Sequence, residues 1–316
     1  MVIINNNQIG VILIILGMLC FSIQDAIIKH IASNTSLVQI MVFRSIAGCL
    51  ILSVFLFFSN RSINLSSSYP LIALTRGTLF FFGFTLFYIS ISQIPLAEAT
   101  SLFFVSPLFM TIFSKLILKS SIGLHRTFSI IIGFSGMLLI IKPGYETFNL
   151  FMVLPIITAL TYSFSMILAK KTSDKDSHFQ QTFHIYLAGI IIGIPLSLSY
   201  GWFPTAIDNS FLNSFLKPWE VSDIHIILSI LVISVVGSLG IIFLISAYNI
   251  GSPIANAPSE YVILIFSFLI GYIIFREMPD IYSFIGIILI VFSGIYIFLR
   301  ENVKKEMVAT KTTLRT

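Results

Sequence analysis

Apolar residues run along this chain in long blocks bounded by polar or turn residues. The blocks fall near 9–29, 37–58, 72–92, 97–118, 125–142, 150–169, 182–200, 224–246, 254–275 and 281–299. A helix needs about 20 apolar residues to cross the hydrocarbon of a bilayer. The pattern therefore predicts an all-α membrane protein with ten transmembrane helices. Some connections are very tight, as at Pro95 and Gly251–Pro253. The longest, about 201–223, holds Trp202, Pro204, Pro218 and Trp219 and is too short for a soluble domain. Its two tryptophans are expected at a bilayer interface.

Composition sharpens this. Of 316 residues, 57% are apolar and 10% charged. A soluble domain runs about 45–50% apolar and about 25% charged. Too few polar side chains exist to cover a soluble surface, which excludes a secreted domain, a nucleic-acid reader and an ordinary cytosolic enzyme. The net charge of +5 matters through its placement. With both termini in the cytoplasm, the inside segments carry Arg61, Lys119, Arg126, Lys170, Lys171, Lys175, Arg300, Lys304, Lys305, Lys311 and Arg315. The outside segments carry only Lys29, Lys142, Lys217 and Arg276. That excess is the one the positive-inside rule requires. Residues 301–316 form a basic cytoplasmic tail. The N-terminus before the first block has no positive charge and no small-residue cleavage site follows, so the block is expected to be a retained span. Cys20 and Cys49 lie inside apolar blocks and suggest small core residues.

The second half repeats the first. A shift of 158 sets Pro95, Ala97, Ala99 and Ser101 on Pro253, Ala255, Ala257 and Ser259, and Phe134-Ser135-Gly136 on Phe292-Ser293-Gly294. Earlier in each half a shift of 141 sets Ser22 on Ser163, Lys29 on Lys170 and Ala47-Gly48 on Ala188-Gly189. The two units are 9–142 and 150–300, with five spans each. Five is odd, so the second unit enters the membrane from the opposite side and the repeats are inverted. Inverted repeats are an architecture of secondary transporters, with the site near the midplane.

Charges at membrane depth cost at least about 2.5–3.5 kcal/mol each on insertion scales and mark function. The candidates are Asp25, Arg44, Arg76, Glu98, Lys115 and Glu260. Asp25 and Arg44 lie deepest in their blocks. They either pair with each other and fix helix packing, or line a polar cavity for an amphoteric ligand. Lys115 reads as a snorkelling residue, and His184 as interfacial. Tyr88, Tyr248 and Tyr261 lie at depth with hydroxyls to satisfy, and their rings suit a planar ligand or a cation. The pairs Gly189/Gly193, Gly237/Gly240 and Gly133/Gly136 suggest close helix packing, and Pro107 a kink. The sequence carries no Walker loop, no metal-ligand cluster and no nucleophile beside a base. Neither an enzyme nor a bound cofactor is expected.

At several of these places the chain resembles a known family. Arg76-Gly77, Phe87-Tyr88, Pro95-Leu96-Ala97-Glu98-Ala99, Pro107-Leu108-Phe109, Gly133-Phe134-Ser135-Gly136 and Lys142-Pro143-Gly144 are similar to the first repeat of EamA-type carriers of the drug/metabolite transporter superfamily. Glu260-Tyr261, Gly271, Phe275-Arg276-Glu277-Met278-Pro279-Asp280, Gly286, Ser293-Gly294 and Arg300-Glu301 are similar to the second. One departure is visible: Lys119-Ser120 stands where that first repeat usually has an acid, whereas the second keeps Glu277. Within the superfamily the chain resembles the S-adenosylmethionine uptake carriers of rickettsia-like bacteria. The resemblance implies an alternating-access carrier in the bacterial inner membrane, importing S-adenosylmethionine in exchange for S-adenosylhomocysteine. It then gives the candidates roles as substrate-binding residues. Asp25, Glu98 or Glu260 would face the ammonium and sulfonium, Arg44 or Arg76 the carboxylate, and Tyr88 or Tyr248 the adenine or sulfonium, with Tyr261 beside them. The same motifs suit a carrier of riboflavin, amino acids or drugs. A membrane-embedded structural or receptor protein without flux is the remaining alternative.

Topology is directly testable. A reporter fused after Thr316 should report cytoplasm, and one inserted in the 201–223 loop should report periplasm. Periplasmic activity from the C-terminal fusion would overturn the orientation.

Overall fold

The protein is described by a computed structural model covering residues 6–58, 65–118, 124–144, 148–198, 219–250, 256 and 258–296, without the side chains of His125, Arg126 and Asn249. The helices are α1 (Asn6–Ile31), α2 (Leu37–Phe58), α3 (Pro70–Ile91), α4 (Leu96–Phe103), α5 (Ser106–Leu118), α6 (Leu124–Ile141), α7 (Val153–Thr172), α8 (His178–Leu198), α9 (Ile224–Ile250), α10 (Val262–Phe275) and α11 (Ile281–Tyr296), with a 3-10 turn at Leu150–Met152. There is no strand among the described residues. Seven helical stretches are long and apolar enough to cross a membrane, and Thr127–Ile141, Val262–Phe275 and Ile281–Tyr296 are shorter apolar helices. The chain is thus an all-helical, multi-pass membrane protein. Trp202 and residues 301–316 lie outside the described residues, and so do Arg61, Lys119 and Pro253. Trp219 packs half-buried against Phe43, with ring centroids 5.5 Å apart.

Most blocks became helices close to their expected bounds. The fourth is broken. Pro107 has no N–H to return to the Phe103 carbonyl and its ring crowds that turn, so α4 stops and α5 starts across Phe104–Val105. At the start of α5 the Ser106 carbonyl accepts at 2.8 Å from the Ser163 hydroxyl of α7. A second irregular turn precedes α10, where Ile263 N donates to Glu260 O over three residues, at 3.2 Å. Glu260 and Tyr261 sit at that turn.

The helices pair in a pattern that survives exchange of the halves. α1 packs on α9 as α3 packs on α7; α2 packs on α9 as α3 packs on α8. α1 packs on α10 as α7 packs on α4 and α5, and the α2–α8 and α4–α10 pairs map onto themselves. Small residues let backbones approach. A Cβ on Gly136 of α6 would lie 2.7 Å from the Gly286 carbonyl oxygen of α11, and one on Gly17 of α1 would lie 3.1 Å from the Gly240 carbonyl oxygen of α9.

The loops follow the same rule. Gln39, one turn into α2, donates to the Glu220 carbonyl at 2.8 Å, and Gln180 of α8, 141 residues later, donates to the Ser66 carbonyl at 3.1 Å. Beside Gln180, buried Asp176 accepts from the Ser67 hydroxyl and, at 2.8 Å, from the Ser68 N–H. Burial pushes this carboxyl up, but the hydrogen bonds outweigh it and hold it below the usual aspartate range. Its stabilisation is therefore fully present above the ordinary aspartate pKa of about 3.9 and fades as pH falls through the lower folded value. Asp176→Asn should destabilise the detergent-solubilised protein at pH 7 by roughly 1–3 kcal/mol, the range for hydrogen bonds to a charged group. Thermal melts at pH 7 and pH 3 check it: the gap to the parent should narrow at the lower pH, and a gap independent of pH refutes this reading.

Candidate functional site

Four polar side chains meet among the apolar helices. Arg44 of α2, Gln24 and Asp25 of α1 and Tyr88 of α3 are each under a tenth exposed. The Tyr88 hydroxyl accepts from Arg44 Nη1 at 2.7 Å and from Gln24 Nε2 at 3.1 Å. Gln24 Nε2 also lies 3.3 Å from Asp25 Oδ1. The expected alternative of a direct Asp25–Arg44 pair is not realised: no ion pair among the described residues joins them, and Tyr88 and Gln24 stand between. Room comes from Gly237 of α9, where a Cβ would collide with Gln24 Oε1 and come within 3.4 Å of Arg44 Nε. These same two atoms, Gln24 Oε1 and Arg44 Nε, have no protein partner among the described residues. A buried acceptor and a buried cationic donor side by side suit a ligand that offers both signs.

A second polar pair lies at the irregular turn before α10. Tyr248 of α9 donates its hydroxyl to Glu260 Oε1, and Tyr162 of α7 lies within electrostatic reach of the same carboxylate. No basic side chain pairs with Glu260 among the described residues. Rings connect the two places. Tyr88 lies 6.3 Å from Phe84, Phe84 lies 5.7 Å from Phe103 of α4, and Phe103 lies 5.3 Å from Tyr162, centroid to centroid. Phe80, Phe84 and Tyr88 recur every fourth residue and so share one stripe of α3. Tyr261 sits on Phe104, 4.9 Å between centroids, with its hydroxyl in the notch left by Gly294.

The other candidates lie apart. Arg76 is buried where α3 meets α7, and its Nε donates to the Ser165 carbonyl at 3.1 Å. Glu98 is buried at the start of α4, close to Ser283, Lys142, Asp280 and Glu277. Lys115 is exposed late in α5, as expected of a snorkelling side chain. His184 is half-buried on α8 with its Nδ1 enclosed. The sequence reading missed Gln24, Phe84, Phe103 and Tyr162. The α3 stripe was visible as a spacing of four, yet among 31 phenylalanines it did not stand out.

The cavity against Arg44, lined by Met41, Phe80, Phe81 and Tyr186, holds about 10 Å3. That is room for one water. A larger cleft of about 560 Å3 lies beside Ile15, Ala97, Ser101, Tyr261 and Phe284 and is mostly apolar. Among the described residues no group of His, Cys, Asp and Glu is placed to hold a metal.

Comparison with known proteins adds the family. The EamA-like transporter family matches residues 8–142 and again 149–300. An S-adenosylmethionine uptake transporter of Rickettsia prowazekii is 26% identical over 94% of this chain and 94% of its own. The pseudopaline exporter CntI of Pseudomonas aeruginosa is 25% identical over 89% of this chain and 93% of its own. A crystal structure of a protein 15% identical superposes with a TM-score of 0.59 over 92% of this chain and 96% of that one, which speaks to the fold alone.

The Tyr88 hydroxyl is the joint of the site. Tyr88→Phe should leave folding nearly intact, remove the acceptor shared by Arg44 and Gln24, and lower ligand affinity by about 1–3 kcal/mol, the cost of an unsatisfied buried group. Gly237→Ala should reduce affinity similarly by displacing Gln24. Equilibrium binding to the purified variants measures both, and parental affinity in the two of them removes this cluster from the site.

Proposed function

Because the chain belongs to the EamA-like transporter family, we propose that it imports S-adenosylmethionine across the bacterial inner membrane, in exchange for S-adenosylhomocysteine, by alternating access. In this reading the seven long helical stretches and the three short ones are ten spans in two inverted repeats of five, with both termini in the cytoplasm. The protein moves its substrate and does not transform it.

The observation that carries the reading is the pairing of charges with rings. Arg44 offers a carboxylate its free Nε beside an acceptor on Gln24. Asp25 on one side and Glu260 on the other face cationic groups. The rings of Phe84, Phe103 and Tyr162 lie between these ends. S-adenosylmethionine has a carboxylate, an ammonium, a sulfonium and a flat adenine, so each of its parts meets a matching surface: bidentate pairing for the carboxylate, ring faces for the sulfonium and stacking for the adenine. The Rickettsia relatives named for uptake of this compound support the choice. The exporter relative supports the broader class, a carrier of a small molecule, with a different direction. Exchange of two solutes does no net work and needs only a carrier that binds both and switches between two states.

Purified protein in liposomes tests this. Vesicles loaded with S-adenosylhomocysteine should take up labelled S-adenosylmethionine faster than empty vesicles, and excess riboflavin or phenylalanine should not compete. Arg44→Gln should abolish the uptake while the protein stays in the membrane. Full competition by riboflavin together with no effect of S-adenosylhomocysteine would refute the substrate and leave the carrier standing.

A further inference from the structure

Among the described residues, one acid at membrane depth has no basic counter-charge. Glu277 pairs with Lys29 at 2.6 Å, and Asp280 pairs with Lys142. Asp25 lies within electrostatic reach of Arg44, Glu98 of Lys142 and Asp176 of Arg76. Asp174, Glu220 and Asp223 stand in loops outside the helices. Glu260 remains. It is half-buried at the irregular turn before α10, and the ionisable groups that face it are tyrosines from three segments. Tyr248 of α9 donates its hydroxyl to Oε1, while Tyr162, halfway along α7, and Tyr261, next in the chain, lie within electrostatic reach. The charged side chains of the elements packed around this turn are directed elsewhere. Asp25 and Lys29 of α1 and Glu98 of α4 have the partners just named. Lys115 is exposed late in α5, Arg276 stands at the far end of α10, and Lys170 and Lys171 close α7 roughly two turns beyond Tyr162. None of them is within electrostatic reach of Glu260.

The charges of the two polar places can be set against those of the ligand. Arg44 supplies one positive charge and Asp25 and Glu260 two negative ones, so one negative charge is in excess. S-adenosylmethionine sets one carboxylate against an ammonium and a sulfonium, so one positive charge is in excess. With this ligand bound the sums cancel. S-adenosylhomocysteine has a neutral thioether where the sulfonium was and carries no net charge. With it bound, the site keeps one negative charge too many. A carboxylate left ionised without a counter-charge in apolar surroundings takes up a proton instead. Asp25 keeps Arg44 within reach, so Glu260 is the acid that takes it. Ring faces around an acid hold an alkylated cation as well, so the same place can be neutralised in either way.

We propose that Glu260 is the proton-carrying residue of the exchange, ionised when the site holds S-adenosylmethionine and protonated when it holds S-adenosylhomocysteine. The inference rests on the S-adenosylmethionine reading of this same site. On the outer side the cationic ligand displaces the proton from Glu260, and that proton leaves to the outside. On the inner side the cation departs, and Glu260 takes a proton from the cytoplasm as S-adenosylhomocysteine binds. Each cycle moves one positive charge inward on the sulfonium and one outward as the proton. The charges balance, so the membrane potential, which acts only on net charge moved, neither drives nor opposes the exchange.

The test follows protons and potential with the full-length protein in liposomes loaded with S-adenosylhomocysteine and a pH-sensitive dye. Adding S-adenosylmethionine outside should turn the lumen alkaline, with one proton leaving for each molecule taken up. An inside-negative potassium diffusion potential, set with valinomycin, should leave the uptake rate unchanged. Adding S-adenosylhomocysteine outside instead should leave the lumen pH unchanged. Glu260→Gln fixes the neutral form. In that variant S-adenosylmethionine uptake should be lost, and the remaining exchange of S-adenosylhomocysteine for itself should no longer depend on pH. Glu260→Asp should bring back uptake together with proton movement. Uptake by the parent that the potential accelerates, with no change in lumen pH, overturns the proton role and leaves the substrate standing. Uptake of S-adenosylmethionine that survives in Glu260→Gln overturns it too. A parent that takes up no S-adenosylmethionine overturns both this role and the substrate.

Discussion

Lipid accepts and donates no hydrogen bonds, so each polar group carried to membrane depth has to be satisfied inside the bundle. That constraint shapes this protein more than any apolar contact, because its helices are as apolar as the solvent around them. Where the fourth span breaks before Pro107, the Ser106 carbonyl at the new helix start accepts from the Ser163 hydroxyl. Where Arg76 is buried, it lies on the Ser165 carbonyl of the same helix α7. Arg44 is only partly satisfied, by Tyr88, and its remaining Nε is enclosed beside a bare Gln24 oxygen. Among the buried polar atoms left without a protein partner, these two stand side by side with opposite hydrogen-bonding character, which is what makes the place a candidate site rather than a packed crossing.

The same constraint explains why the irregular backbone lies where it does. Non-helical turns at membrane depth are tolerated only when buried in protein or lining a cavity. The two turns, Phe104–Val105 and Glu260–Tyr261, lie against each other through the Phe104 and Tyr261 rings. The ring series from Tyr88 to Tyr162 runs past the end of α4 next to the first of them. Broken helices thus bring both the rings and the Glu260 carboxylate to the middle of the bundle, which a straight pair of spans would not.

Most of the architecture was legible in the sequence, since apolar block length decides spanning helices and little else competes. Asn6–Ile31 and Leu37–Phe58 match their blocks within a few residues. The site was legible in its charges and not in its connections. Asp25, Arg44 and Tyr88 were marked by the cost of polar groups at depth, and the structure brings all three together. Glu98 and Arg76 were marked by the same reasoning and lie elsewhere, because burial cost gives no direction around a helix axis. Gln24 was missed since a neutral amide carries little insertion penalty, although it bridges Tyr88 and Asp25. Phe103 and Tyr162 were hidden by abundance: in a lipid-facing chain an aromatic residue is unremarkable until its neighbours are known.

Pseudo-symmetry and chemistry pull against each other here. The loop ties at Gln39 and Gln180 and the helix pairings repeat between the halves. The site does not repeat. Under the shift of 141, Asp25 falls on Met166 and Arg44 on Ile185; under the shift of 158, Glu260 falls on Leu102. A two-fold site would present the same group to both ends of its ligand, which suits no molecule with a carboxylate at one end and a cation elsewhere. Exchange of conformations needs only backbones and packing that match, and these recur between the halves in small residues, loop ties and crossings. Side chains in the centre are free of that requirement, so one half carries the buried Arg44 and the other the acid Glu260. The frame is duplicated, and the charged side chains of its candidate site are not.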